Sequence, residues 1–239
     1  MRCELTLSRA RLSVRRGGGE RERRSTAPYL THQAVADLFG DRTDRGYLYR
    51  VTGEWPGGAD VLILSSARPL PVDRVSSPAH RRAERVESKP FTPELVSGQL
   101  LDYEIRINAT QVVTMPDTAR KQRTDAWEAV WQADRNTVRT PHEVYGQYLT
   151  RKLEGVAEVL DARVTERGEV QAGRGDRRDT ARYVATNLIG SLRVVEPERI
   201  LEVVGHGIGR AKAFGCGLLC LSRPGTMLPR RYAADAGAL

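Results

Sequence analysis

Two successive runs of strand-, helix- and strand-like sequence predict an α+β protein built from two tandem βαββαβ units, the ferredoxin-like (RRM-like) arrangement. Three observations point there. The chain has 239 residues, which is room for two small domains. Period-two and helical hydrophobic stretches follow one another in the same order twice. Between the runs lies a polar stretch with Pro69, Pro71, Pro78, Pro90 and Pro93 and several Arg, which reads as a boundary. The expected domains are therefore 1–96 and 97–239.

In the first unit, Cys3 to Leu7 and Arg9 to Val14 alternate loosely and read as a strand. Residues 9–24 then carry seven Arg against two Glu around Gly17-Gly18-Gly19, a basic loop that serves either as a solvated linker or as a binding element. Ser25 or Thr26 can cap the helix that follows, and Pro28 suits its first turn. Leu30, Ala34 and Leu38 repeat at helical spacing, Val35 and Phe39 widen the stripe, and Gly40 ends it. Tyr47 to Thr52 and Asp60 to Ser65 read as strands. An irregular region then stands where a second helix and fourth strand belong.

The second unit opens on a long alternating run, Leu100 to Val113. Polar residues from Pro116 to Thr137 follow. A helix is expected over Pro141 to Val159, with Val144, Tyr148, Leu149, Leu153 and Val156 in register. Val159 to Val164 and Tyr183 to Val195 read as strands around an Arg- and Gly-rich stretch. Pro197 to Val204 reads as a helix, Gly207 to Gly217 as a glycine-punctuated loop, and Leu218 to Leu221 as the last strand.

Charge narrows the function classes. Lys+Arg is 38 and Asp+Glu is 30, a net charge of +8, and only four of the 38 are Lys. GC-rich coding accounts for the Arg:Lys ratio but not for the excess over acids, which favours a polyanionic partner. The longest apolar runs, such as Val61 to Leu64, fall far short of the ~20 residues a membrane helix needs, so no membrane partner is expected. No secretory signal is expected either, and a reducing cytoplasm is the default for Cys3, Cys216 and Cys220, which form no CxxC pair. His32, His80, His142 and His206 form no HExxH or HxxxH pair, so neither metal nor cofactor is called for.

The sharpest local signal is Gly205 to Gly217 (GHGIGRAKAFGCG). Its glycines permit tight turns and close backbone approach, and Arg210 and Lys212 put positive charge in the same turn, a cradle for phosphate. It lacks a Gly-Lys-Ser/Thr and precedes a strand, so it is neither a Walker nor a Rossmann loop. Taken alone, such a connection is structural as often as functional.

The run Gly207 to Leu221 (GIGRAKAFGCGLLCL) resembles the C-terminal glycine-rich loop of RAMP-type CRISPR proteins, most of all the CasE family. Pro28 to Gln33 (PYLTHQ) with Leu38-Phe39 resembles that family's Tyr-x-x-His helix start and Leu-Phe ending. Tyr103 to Ala109 resembles the strand opening its second domain. Arg139-Thr140-Pro141 and Tyr148 to Leu153 resemble its basic-Pro turn and following helix. The resemblance implies two ferredoxin-like domains and an endoribonuclease of the type I-E Cascade complex. It implies a cut at the base of the CRISPR repeat hairpin without metal, leaving a cyclic phosphate, after which the enzyme stays on its product. It implies other Cascade subunits as partners.

Residue chemistry bears on this independently. On a helical wheel Tyr29 and His32 are neighbours, turned away from Leu30, Ala34 and Leu38. A helix N-terminus attracts phosphate and disfavours imidazolium, so a neutral His32 can take a proton from a 2′-OH while Tyr29 orients the ribose or shares the transfer. Taken alone, His32 also reads as an exposed helix histidine with no role. RNA contacts are expected from Arg174, Arg177, Arg178 and Arg182, where the family places a groove-reading hairpin. They are also expected from the cluster Arg120, Lys121, Arg123 and Arg139, and from Gly207, Gly209, Arg210 and Lys212. For both Arg clusters a solvated loop is the alternative. With 6% aromatic residues, shape and phosphate readout of a stem is favoured over base stacking. Trp127 and Trp131 read as a core or partner-facing patch. Three segments depart from the family pattern: the long basic loop Arg15 to Arg24, an apparent insertion over Asp125 to Asn136, and the tail Arg223 to Leu239. Two other classes stay open: a non-catalytic RNA-binding subunit of a CRISPR ribonucleoprotein, and an unrelated basic protein that binds RNA or an anionic surface by charge alone.

Overall fold

The computed structural model describes residues 5–14, 26–40, 46–78, 81–114, 121–136, 138–173 and 180–226. Among these residues, strands form two four-stranded antiparallel sheets and one two-stranded ribbon. In the first unit β1 (Leu5–Val14) leads into α1 (Ala27–Asp37), then β2 (Tyr47–Trp55), β3 (Gly58–Ser65) and β4 (Arg81–Phe91). The sheet order is β2-β3-β1-β4, the ferredoxin-like order. The second helix of that pattern is replaced by one 3-10 turn, Val72–Arg74. Pro69, Pro71 and Pro78 account for this, because each removes a helical N–H donor. The irregular region nevertheless supplies the fourth strand, β4, which pairs with β1 from Leu5↔Phe91 to Val14↔Arg81.

The second unit comprises β5 (Leu100–Ile107), α3 (Pro141–Lys152), β8 (Ala157–Ala172), β9 (Ala181–Val194), α4 (Pro197–His206) and β10 (Cys220–Ser222). Its sheet order, β10-β5-β9-β8, repeats the first. The expected run from Leu100 to Val113 is broken at Asn108, whose side-chain amide donates to the Val184 carbonyl and whose backbone bridges to Arg210. After the break, β6 (Thr110–Thr114) and β7 (Lys121–Asp125) form the separate ribbon, and α2 (Ala126–Ala133) follows.

The polar reading of residues 116–137 misses β7 and α2, because an eight-residue helix is too short to declare a period. Its start is nonetheless specified. Asp125 accepts from the backbone N–H of Trp127 and Glu128 at 3.1 and 3.4 Å, and Tyr145 and Arg167 also donate to Asp125. In α3, Thr140 and Glu143 complete a reciprocal capping box. That helix ends at Lys152 rather than reaching Val159, and Val156 instead packs into the core at the turn before β8.

Two cores result. Ala34 and Val35 of α1, with Leu38 at its C-cap, pack on Ala10, Leu12, Val61 and Ile63. Each fully buried Leu of this kind contributes about 1.5–3 kcal/mol. Alternation along β2 and β3 turns Leu48 and Leu64 to the opposite face, where they join the second unit's core with Ile200, Val204, Ile208 and Leu218. The first sheet is thus apolar on both faces, and its outer face is covered by α4 and the glycine loop.

Candidate nuclease site

Tyr29 and His32 lie in the first two turns of α1, both half-buried. The expected helix start is correct, but Thr26 does not cap it with its side chain. Its hydroxyl instead accepts from the Gly173 N–H at 3.1 Å, and its own N–H donates to the Gly173 carbonyl at 3.1 Å. Gly173 directly follows β8, so the N-terminus of α1 is tied to the second unit. Tyr29 Oη accepts from Gln33 Nε2, one turn on, at 3.0 Å.

The glycine loop reaches the same place. The His32 ring meets Phe214 edge-on at 5.7 Å between centroids, and Phe214 stacks on Tyr183 of β9 at 6.0 Å. Tyr49 Oη holds the loop by donating to the Ala213 carbonyl at 3.0 Å. The loop backbone closes through Ile208 N–H to the Gly217 carbonyl and Gly217 N–H to the Arg106 carbonyl, at 2.9 and 2.7 Å. This path needs positive φ at Gly207 (73°) and Gly217 (94°). A Cβ at Gly207 would stand 2.7 Å from Leu48 Cδ1, so that glycine also sets how closely the two units approach. His206, expected in the loop, is the last residue of α4, because the positive φ that ends the helix falls at Gly207.

A cleft of about 400 Å³ opens beside the first turn of α1, lined among others by Pro28, Thr31, Arg50, Arg106, Tyr183 and Phe214. Arg50, only 3% exposed, donates from Nη2 to Glu104 Oε1 of the other sheet. Arg106 pairs with Glu166 at 3.7 Å. Burial raises the Tyr183 hydroxyl pKa well above its ordinary value and pushes the Cys216 thiol up to about 11.

The structure therefore brings together Tyr29, His32 and the glycine loop. Gly207 and Gly209 shape the loop backbone, and Arg210 is exposed on it. Lys212 is turned away, donating to the His206 carbonyl at 2.6 Å. Arg182 is exposed on β9 next to Tyr183, opposite Gln171. Lys121 and Arg123 sit exposed on the separate β6–β7 ribbon, and Arg139 donates to Gln147 of α3. Arg120, Arg174, Arg177 and Arg178 lie outside the described residues, as do His80, the basic loop 15–25 and the tail from 227. Trp131 is 45% exposed and stacks on Trp127 at 6.3 Å. No described helix is long and apolar enough to cross a membrane.

Sequence reasoning missed Thr26–Gly173, Phe214, Tyr183 and Arg50. Only Arg50 left a signal: it stands between Leu48 and Thr52 on one face of a strand, where an apolar residue is expected.

A helix whose His32 meets a glycine-rich loop, on tandem ferredoxin-like units, defines a two-domain α+β protein. The model of the family described as CRISPR associated protein matches residues 5–223, and the chain belongs to that family. Among relatives, the Cascade subunit CasE of Escherichia coli K12 is 26% identical over 198 residues, covering 81% of this chain and 91% of CasE. The crystal structure of Cas6e from E. coli K-12 superposes with a TM-score of 0.64 at 20% identity, over 90% of this chain and 99% of that one. Thermus thermophilus Cse3, bound to an RNA representing a pre-cleavage complex, gives 0.65 at 22% identity, over 92% and 99%. The structural likenesses carry the fold, two ferredoxin-like domains.

Proposed function

We propose that this chain is a CRISPR RNA-processing endoribonuclease of a Cascade complex, binding the repeat hairpin and working beside other Cascade subunits. Its relatives support the class: CasE is named a Cascade subunit, and Cse3 an endoribonuclease bound to RNA. The observation that carries the reading is the meeting of His32 with Phe214 of the glycine loop at the N-terminal end of α1, beside a cleft edged by Arg50 and Arg106. In this reading the scissile phosphate sits at the start of α1, where the helix dipole favours an anion. His32 takes the proton from the 2′-OH, and that oxygen attacks the adjacent phosphorus. The P–O5′ bond breaks, a 2′,3′-cyclic phosphate forms, and the departing 5′-oxygen takes up a proton. Tyr29, held by Gln33, orients the ribose or shares proton transfer. The nucleophile is internal to the substrate, so the reaction calls for neither metal nor cofactor. Arg174, Arg177, Arg178 and Arg182, with Arg120, Lys121, Arg123 and Arg139, are the proposed phosphate contacts along the stem. Gly207, Gly209, Arg210 and Lys212 belong to the proposed loop contact, although Lys212 must leave the His206 carbonyl to reach RNA.

The test is cleavage of a repeat hairpin in EDTA, with and without a 2′-deoxy residue at the scissile position. Cleavage is expected to survive EDTA and to stop with the deoxy substrate. His32→Ala is expected to lower the single-turnover rate at least ~100-fold, within the range general base catalysis supplies, with hairpin affinity nearly intact. Full cleavage by His32→Ala removes His32 from the chemistry. A wild-type chain that binds the hairpin and never cuts is the non-catalytic RNA-binding subunit.

A further inference from the structure

Two of the described helices start on threonine, and they use it differently. Thr140 completes a capping box on α3. Thr26 has the extended backbone of a cap (φ −80°, ψ 153°), yet its hydroxyl serves Gly173 instead of the first turn of α1. Diverting a cap forgoes about 1 kcal/mol of helix stability, so the reciprocal pair with Gly173 is a contact in its own right. The second strand of the same hairpin makes the other contact. Tyr183, paired across the ladder with Val170, stacks on Phe214, and Phe214 meets the His32 ring in a T-shaped arrangement at 69°. The Ala172/Ala181 end of the β8–β9 ladder therefore reaches α1 twice, at Thr26 through its N–H and hydroxyl and at His32 through an aromatic bridge. Six residues of helix separate these anchors, roughly 9 Å along the axis. Two anchors at that spacing fix the tilt and rotation of the first two turns.

We propose that Thr26 and Phe214 are positioning residues, which register α1 against the Ala172/Ala181 end of the β8–β9 ladder and so aim the His32 imidazole at the reacting 2′-oxygen. The inference rests on the reading of His32 as the base. Neither residue touches the substrate in this role; each acts through His32. Misplacement of a catalytic group by ~1 Å can cost ~100-fold in rate, so loss of one anchor is expected to show in the chemical step and not in binding.

The experiment compares Thr26→Val, Thr26→Ser and Phe214→Leu in the full chain. Single-turnover cleavage of the repeat hairpin is read beside the Kd for the non-cleavable 2′-deoxy hairpin. Thr26→Val and Phe214→Leu are expected to slow cleavage about tenfold or more with Kd within twofold, and Thr26→Ser, which keeps the hydroxyl, to restore the rate. In a His32→Ala background both substitutions are expected to change nothing further, because their effect passes through the missing imidazole. Wild-type rates for Thr26→Val and Phe214→Leu, with His32→Ala inactive, overturn the positioning role and leave the nuclease reading standing. Parallel loss of rate and affinity also overturns it, since the contacts then serve RNA binding or the fold. Full cleavage by His32→Ala overturns the reading beneath it and the inference together.

Discussion

Replacing Glu104 by Gln takes a carboxylate away from a buried guanidinium at the junction of the two sheets. Arg50 rises from β2 of the first sheet and its side chain is 4% exposed; Glu104 comes from β5 of the second and is 20% exposed. The amide can still accept a hydrogen bond but carries no charge, so Arg50 stays desolvated and loses the Glu104 charge. Removing one partner of a buried pair costs about 3–5 kcal/mol, and because Glu104 keeps some contact with water the lower end, about 3 kcal/mol, applies. For a chain of this size each kcal/mol moves Tm by about 2–4 °C, so a fall of about 6–12 °C is expected. Calorimetry and urea unfolding measure it. The double change Arg50→Met with Glu104→Leu is expected to recover most of the loss, since no charge is then left buried and apolar replacements of ion pairs are often neutral. A Glu104→Gln protein within 1 °C of the parent refutes the account, because the pair would then have to be as hydrated as a surface bridge, worth about 0–1 kcal/mol.

Gly217→Ala places a methyl at φ +94° and 2.9 Å from the Ile208 carbonyl oxygen, on a neighbour already bound by its own N–H to the Gly217 carbonyl. A loss of about 1–3 kcal/mol in denaturant unfolding is expected, and a change below ~0.5 kcal/mol counts against the loop geometry. The Cys216 thiol titrates near 11 in the folded chain against an ordinary 9.0, so the unfolded chain sheds this proton first. Its contribution is whole below about pH 9 and is lost as pH rises through about 11; unfolding measured across that window is expected to show a steeper decline than in Cys216→Ala. Neutralising Arg177 and Arg178 to Gln is expected to weaken hairpin binding and to flatten the log Kd against log salt slope by about 1.5. An unchanged slope removes both from the RNA track.

Legibility followed the range of the interactions. Local rules marked α1 well: Pro28 in its first turn and the stripe Leu30, Ala34, Val35, Leu38 were readable, and all four are buried. Strand ends were less so. β8 and β9 run to Ala172 and from Ala181, through residues read as an Arg- and Gly-rich loop, because cross-strand pairing overrides weak local propensity. The Tyr29/His32 pair and the glycine loop were visible as types and spacing. What joins them was not: Thr26 to Gly173 spans 147 residues, and Phe214 meets His32 across most of the chain. Thr26 even misleads, since a threonine ahead of a helix is read as its cap.

The contacts around His32 are drawn from both units. Tyr29 and His32 come from the first unit, Gly173, Tyr183 and Phe214 from the second. Each sheet could bury its own helices without the other. Yet Leu48 and Leu64 join the second core, and Gly207 gives up its side chain so that Leu48 can approach. Arg50 and Glu104 then add a charged fastening, a poor source of stability beside apolar packing but one that accepts a single geometry. An apolar face alone tolerates sliding by a fraction of a residue, whereas the reciprocal Thr26–Gly173 hydrogen bonds, an aromatic bridge and a buried ion pair do not. In the proposed reading the junction places directional contacts where the aim of the His32 imidazole depends on how the two units meet, and the net charge of +8 can attract RNA without having to be placed as closely.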